Sequence, residues 1–142
     1  MLDRFTPLLE KAGTIEDPAR VIVTGSVAGI GIGTTGQNST PGYAASKAAV
    51  LHLTRHLSVE LGPRHILVNA IAPGFFPSKM ANGLMELVGG ADKLAAANPN
   101  GRLGLPEDIA GTVVYLASRA SGHANGITLP LDGGKIHAMA RL

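Results

Sequence analysis

Tyr43 and Lys47, in the stretch Pro41-Gly42-Tyr43-Ala44-Ala45-Ser46-Lys47, stand four residues apart. On a helix that spacing puts a phenol and an ammonium on one face. A phenol at neutral pH is a poor acid and a poor base, and a cation held beside it favours the phenolate. Such a tyrosine can exchange a proton with an alcohol or a carbonyl. A chain with two tyrosines produces this spacing by chance at roughly 7%, so other residues must carry the reading.

The pair needs a helix, and the surrounding sequence supplies one. Thr40 can cap it, Pro41 suits its first turn, and the apolar periodicity runs to Leu61 before Gly62-Pro63 ends it. Ala44, Ala48 and Leu51, together with Ala45, Ala49, Leu53, Leu57 and Leu61, cover too wide an arc for a helix with one side in water. A second helix, from this chain or another subunit, is expected to cover it. Upstream, Leu2, Phe5, Leu8, Leu9 and Ala12 recur at helical spacing and stop at Gly13, and Arg20 to Gly25 is a β-branched run read as a buried strand. Downstream, Ile66 to Ala72 forms a second strand ended by Pro73-Gly74. Short helices surround Gly89-Gly90 over residues 79–97, a helix opens at Pro106-Glu107-Asp108 and reaches Arg119, and Gly126 to Asp132 is a third strand closed by Gly133-Gly134.

Strands alternating with helices imply parallel pairing through right-handed crossovers, an α/β fold with three strands. The 142 residues suit one domain, 1–142, with no internal repeat or linker, and residues 135–142 are expected to be a loose tail. The net charge of +2 comes with no run of Lys and Arg, so no nucleic-acid partner is expected. The absence of cysteine excludes disulfides, thiol catalysis and Cys-type zinc sites, and suits a reducing compartment, with the cytoplasm as the default location. No long apolar run or basic-then-apolar leader is seen, so no membrane is expected. His52 and His56 share a helical face at a metal-like spacing but lack a third ligand, so no metal is expected.

Thr24-Gly25-Ser26-Val27-Ala28-Gly29-Ile30-Gly31 follows a strand and matches a glycine pattern that holds dinucleotide pyrophosphates. That chemistry needs a helix starting at the last glycine, whose free N–H groups meet the phosphates. Residues 32–41 carry several breakers and no apolar period. The stretch is therefore expected to be a strand-end loop presenting a side chain.

Four segments in order resemble the short-chain dehydrogenase/reductase (SDR) family, in the C-terminal half of its Rossmann-like, doubly wound domain. They are the strand ending in Gly25-Ser26-Val27-Ala28-Gly29, the Tyr-x-x-x-Lys segment Tyr43 to Ala49, Val68 to Gly74, and Leu129 to Gly134. The resemblance implies the last three strands of seven. It also implies an NAD(P)-dependent oxidoreductase that reduces a carbonyl or oxidises a secondary alcohol, with hydride carried by the nicotinamide. Tyr43 would be general acid or base, Lys47 would favour its phenolate and hold the nicotinamide ribose, and Ser26 would hydrogen-bond the substrate oxygen. Thr24 and Ser39 are alternative hydroxyls. Pro73, Gly74, backbone groups around Phe76, and Ser78, where the family more often has threonine, would meet the nicotinamide, with NADP favoured on family habit and NAD open.

A small insertion is expected within Ile30 to Asn38. Phe75, Phe76, Met80, Leu84 and Met85 suggest a hydrophobic carbonyl or alcohol substrate. Asn69 is expected to tie strand ends together, and Arg102 and Asp132 to form local ion pairs. The family's glycine-rich turn and its following helix, the acidic or basic selector and the Asn-Asn-Ala-Gly strand end have no counterpart here. The first strand would then lack its inner neighbour, and the chain is expected to form homo-oligomers or to need the N-terminal half. The alternative to an oxidoreductase is a catalytically inactive, truncated remnant or an interaction module.

Overall fold

A computed structural model describes residues 2–32 and 35–138, without the side chains of Asp3 and Met80. Three parallel strands, β1 (Ala19–Thr24), β2 (Ile66–Pro73) and β3 (Thr128–Leu131), form a sheet in the order β1-β2-β3. The helices are α1 (Leu2–Ala12), α2 (Pro41–Leu61), α3 (Lys79–Leu87), α4 (Ala91–Ala96) and α5 (Pro106–Ala117). The expected α/β alternation is therefore present, with β1 ending one residue before Gly25 and β3 starting two after Gly126.

Period-2 side-chain alternation divides β2 between two helical layers. Ile66 and Val68, both fully buried, pack with Leu61 against Leu2, Leu9 and Leu57, on the face that carries α1 and α2. Val21 and Val23 of β1 join the same cluster. Each fully buried aliphatic side chain contributes about 1.5–3 kcal/mol relative to exposure. On the other face Leu116 of α5 is buried, and α5 lies against β1 and β2. α1 reaches the sheet through a close approach: Gly13 sits where a Cβ would overlap the His65 carbonyl.

Asn69 ties the sheet as expected, its Nδ2 donating to Ala124 O at 2.7 Å and its Oδ1 accepting from Ile127 N at 3.1 Å. Asn125 does the same from the other side, accepting from Val68 N at 2.9 Å and donating to Ser58 O at 2.9 Å. β3 has not yet begun at that level, so the Asn125 amide satisfies a strand N–H that would otherwise be buried unpaired.

Several expectations are corrected in detail. Thr40 does not cap α2 with its hydroxyl; its carbonyl accepts from Ala44 N at 3.0 Å instead. α5 stops at Ala117, because Ser118 turns extended and its hydroxyl accepts from Ala120 N to start a 3-10 turn, Arg119–Ser121. Asp132 makes no ion pair among the described residues; its carboxylate accepts from Gly134 N at 2.9 Å and Ile136 N at 2.7 Å. Those bonds shape a 3-10 turn, Lys135–His137, within the expected tail, and residues 139–142 lie outside the described residues.

Candidate active site

Ligand sites in parallel sheets lie beyond the carboxyl ends of the strands, and most of the candidate residues gather there. β1 ends at Thr24, and Gly25 N continues the ladder to Ile71 O at 2.8 Å. A Cβ on Gly25 would meet the Leu51 side chain, so the chain leaves the sheet pressed against α2. Ser26 follows, buried, its Oγ accepting from Ala28 N at 3.2 Å as it caps the turn Val27–Gly29. Among the described residues no acceptor takes up its hydroxyl proton. Gly29 then crosses α2 where a Cβ would overlap the backbone of Lys47 and Ala48. No helix follows Gly31 among the described residues; a short 3-10 turn, Gly36–Asn38, precedes Ser39 and α2. The glycines at 25 and 29 thus have packing reasons, and the described residues of the loop hold no helix N-terminus of the kind a pyrophosphate needs. Part of the expected insertion, Gly33 and Thr34, lies outside the described residues.

From α2, Lys47 reaches back over this turn and donates from Nζ to Thr24 O at 3.2 Å. Its ammonium stands 5.7 Å from the centroid of the Tyr43 ring, within cation–π range. Tyr43 is 43% exposed, open to an incoming molecule. One carbonyl at the strand end therefore anchors the cation, the cation neighbours the phenol, and Ser26 lies two residues beyond the anchor. Thr24 contributes its carbonyl to this group, and Ser39 is exposed before α2.

Pro73 ends β2 opposite Leu131, and Gly74 N donates to Leu131 O at 2.9 Å. A Cβ on Gly74 would press on Asp132, so a side chain there would separate the two strand ends. Phe76 and Ser78 are engaged differently. The Phe76 ring packs on Gly104, and the Ser78 hydroxyl, exposed, caps α3 by accepting from Ala81 N at 3.1 Å. Phe75 and Phe76 border a cavity of about 220 Å³ that also meets Arg102, Asp108 and Asp132. Met85 is buried, and the Met80 side chain lies outside the description.

The local ion pair expected of Arg102 is formed beside this cavity, with a partner, Asp108, that sequence reasoning did not name. Arg102 forks onto Asp108, Nη1 to Oδ2 at 2.7 Å and Nη2 to Oδ1 at 2.9 Å, and Leu105 N donates to Oδ2 at 2.8 Å. The Arg102 hydrogen bonds and then the Leu105 N–H hold the Asp108 carboxyl down at about 2. The spacing Arg-x-x-x-Pro-Glu-Asp could have shown it, since an acid at the third helical position both accepts from the cap backbone and faces the preceding turn. His52 approaches Arg55 and His56 approaches Glu60, and no group of three metal-binding side chains occurs among the described residues. No described helix is long and apolar enough to cross a membrane.

Comparisons with known proteins agree with this architecture. The family model described as Enoyl-(Acyl carrier protein) reductase matches residues 2–135. The Rhamnolipids biosynthesis 3-oxoacyl-[acyl-carrier-protein] reductase of Pseudomonas aeruginosa is 41% identical over 133 residues, 94% of this chain and 51% of its own length. The 5-keto-D-gluconate 5-reductase of Escherichia coli K12 is 41% identical over 104 residues, 73% of this chain and 41% of its own. The Pseudomonas aeruginosa RhlG/NADP active-site complex superposes with a TM-score of 0.82 at 40% identity, covering 94% of this chain and 53% of that one. The chain thus spans about half the length of these relatives. With the sheet order and the family match in agreement, the chain belongs to the short-chain dehydrogenase/reductase family.

Proposed function

We propose that this chain carries the proton-transfer site of an NADP-dependent oxidoreductase that reduces a carbonyl, or in reverse oxidises a secondary alcohol. The observation that carries it is the Lys47 ammonium held on Thr24 O beside the Tyr43 ring, two residues from Ser26. An ammonium has three donors, and one is used by Thr24. The other two can serve the nicotinamide ribose. Tyr43 gives its proton to the substrate oxygen during reduction, and the Ser26 hydroxyl donates to that oxygen as charge builds on it. NADP, when bound, supplies the hydride, and Pro73, Gly74, Ser78 and the backbone at Phe76 are its nicotinamide contacts. The relatives' names support a carbonyl as the reacting group, and NADP is the cofactor of the RhlG complex.

The test is NADPH consumption with a 3-oxoacyl thioester, by the chain alone and by the chain with the remaining half of a relative added. Tyr43→Phe should lower the rate about 10²–10⁴-fold with the fold intact. A Tyr43→Phe variant as fast as the parent would overturn the assignment. No helix opens from the glycine loop after β1 among the described residues, so the chain alone should bind NADPH far more weakly than a whole family member by titration calorimetry. Tight binding would restore a pyrophosphate role to the loop after β1.

A second reading, an interaction module without turnover, rests on the outer edge of β1, unpaired among the described residues, and on Leu53 and Val59, exposed on α2. It predicts association without turnover. The oxidoreductase reading also predicts self-association through these surfaces, and a clean monomer by light scattering at high concentration would count against association in either case.

A further inference from the structure

We propose that Gly104, held in place by the Arg102–Asp108 fork, is a positioning residue for the nicotinamide contacts, because it seats the Phe76 ring and so sets the path of the backbone from Gly74 to Ser78. This rests on the oxidoreductase reading and assigns work to residues outside it. The Phe76 ring lies against the Gly104 Cα so closely that a Cβ would overlap three of its ring carbons. The same residue binds the segment's backbone, Gly104 N donating to Phe75 O at 3.1 Å. Gly104 carries no positive φ, so the contact with Phe76, and no backbone strain, is what demands glycine here.

The turn that presents Gly104 is tied at both ends. Arg102 binds Asp108 bidentately, and its Nη1 also donates to Leu103 O at 3.0 Å. Leu105 N donates to the same carboxylate at 2.8 Å, so the residues on either side of Gly104 are fixed to the first turn of α5. Upstream, Asn98 Nδ2 donates to Arg102 O at 2.7 Å, and Asn100 N donates to Gly133 O at 3.3 Å just past β3. A side chain at 104 therefore cannot be absorbed by moving the turn. It must displace Phe76, and with it the backbone that joins the end of β2 to the Ser78 cap of α3. Phe76 stands midway between Gly74, pinned to Leu131, and Ser78, pinned to Ala81, so the displacement is confined to the proposed nicotinamide contacts.

The test uses the purified chain and reduced nicotinamide mononucleotide, which carries the ring and ribose without the adenosine half, followed by NMR shifts of Gly74, Phe76 and Lys47. Gly104→Ala should weaken binding about tenfold, and the Gly104→Ala/Phe76→Leu double variant, with room for the methyl, should recover most of the loss. Should Gly104→Ala fail to fold, Arg102→Gln, which loosens the turn at an exposed side chain, should weaken binding in the same direction with Gly74 and Phe76 shifted. Parent-like affinity in Gly104→Ala, or in Arg102→Gln where that variant stands in, overturns the positioning role and leaves the oxidoreductase reading intact. So does a loss that Phe76→Leu fails to recover. A parent chain whose Lys47 and Gly74 signals ignore the mononucleotide overturns both.

Discussion

Val21 and Val68 are the same residue, face each other in register across β1 and β2, and pack into one cluster. Val68 is fully buried and Val21 only partly. The difference extends along both strands: every residue of β2 from Ile66 to Ala72 is buried, and none of β1 is. Composition does not account for it, because Arg20-Val21-Ile22-Val23 is as β-branched as Ile66-Leu67-Val68. Position does. β2 has a neighbour on each side, and β1 has one, its outer edge unpaired among the described residues. A strand's burial is set by its place in the sheet order, which a local run of letters does not encode.

The sharpest test of that contrast is truncation of the register pair. Val68→Ala should cost about 2–3 kcal/mol in denaturant unfolding, through lost transfer energy and a cavity that cannot collapse. Val21→Ala should cost about half as much or less, and equal costs would mean that β1 is covered as completely as β2. A polar version comes next. Asn69→Ala leaves the Ala124 carbonyl and the Ile127 N–H without their partner, at about 1–3 kcal/mol by the same measurement. A loss below that range would mean that the β2–β3 seam is carried by its ladder alone. A smaller effect is expected at β1: Ile22→Lys should reduce association seen by light scattering, if the outer edge is what associates.

The smallest effect lies at the Arg102–Asp108 clasp. Its carboxyl sits at about 2 against an ordinary 3.8, so its contribution to stability is present above the ordinary value and is lost as the pH falls through about 2. Solvent around the pair keeps that contribution modest. Asp108→Asn should therefore narrow the gap in melting temperature between neutrality and about pH 2. An unchanged gap would show that the clasp orders the turn without stabilising the fold.

Local chemistry was readable where it repeats or punctuates. The periodicity of residues 41–61, Pro41 at the start and Gly62-Pro63 at the end fixed α2 to the residue, and Gly89-Gly90 separated α3 from α4 as expected. The glycine string after β1 misled only as a pattern, and its lack of a following helical period exposed it. What the sequence could not show were long-range satisfactions: Asn125 filling in for an absent strand, Asp132 turning to its own backbone instead of a cation, and Gly104 lying flat on Phe76. Each depends on atoms brought together by the sheet, and no spacing along the chain announces them. Tyr43 and Lys47 were legible as a pair, whereas the carbonyl of Thr24 that anchors Lys47 was not, because any residue supplies a carbonyl.

The register of the sheet also bears on how the molecule comes to exist. Ala19 meets Ile66 and Ala70 meets Thr128, so every ladder in the sheet joins residues separated by roughly fifty positions, the topology that folds slowly because long loops must close before any pairing rewards them. α2 can form early from its own neighbours, but β2 must wait for both flanking strands. Through that interval its apolar run is exposed to other nascent chains. The yield of folded protein should therefore fall with concentration and rise with slower synthesis, set by the time β2 spends without partners.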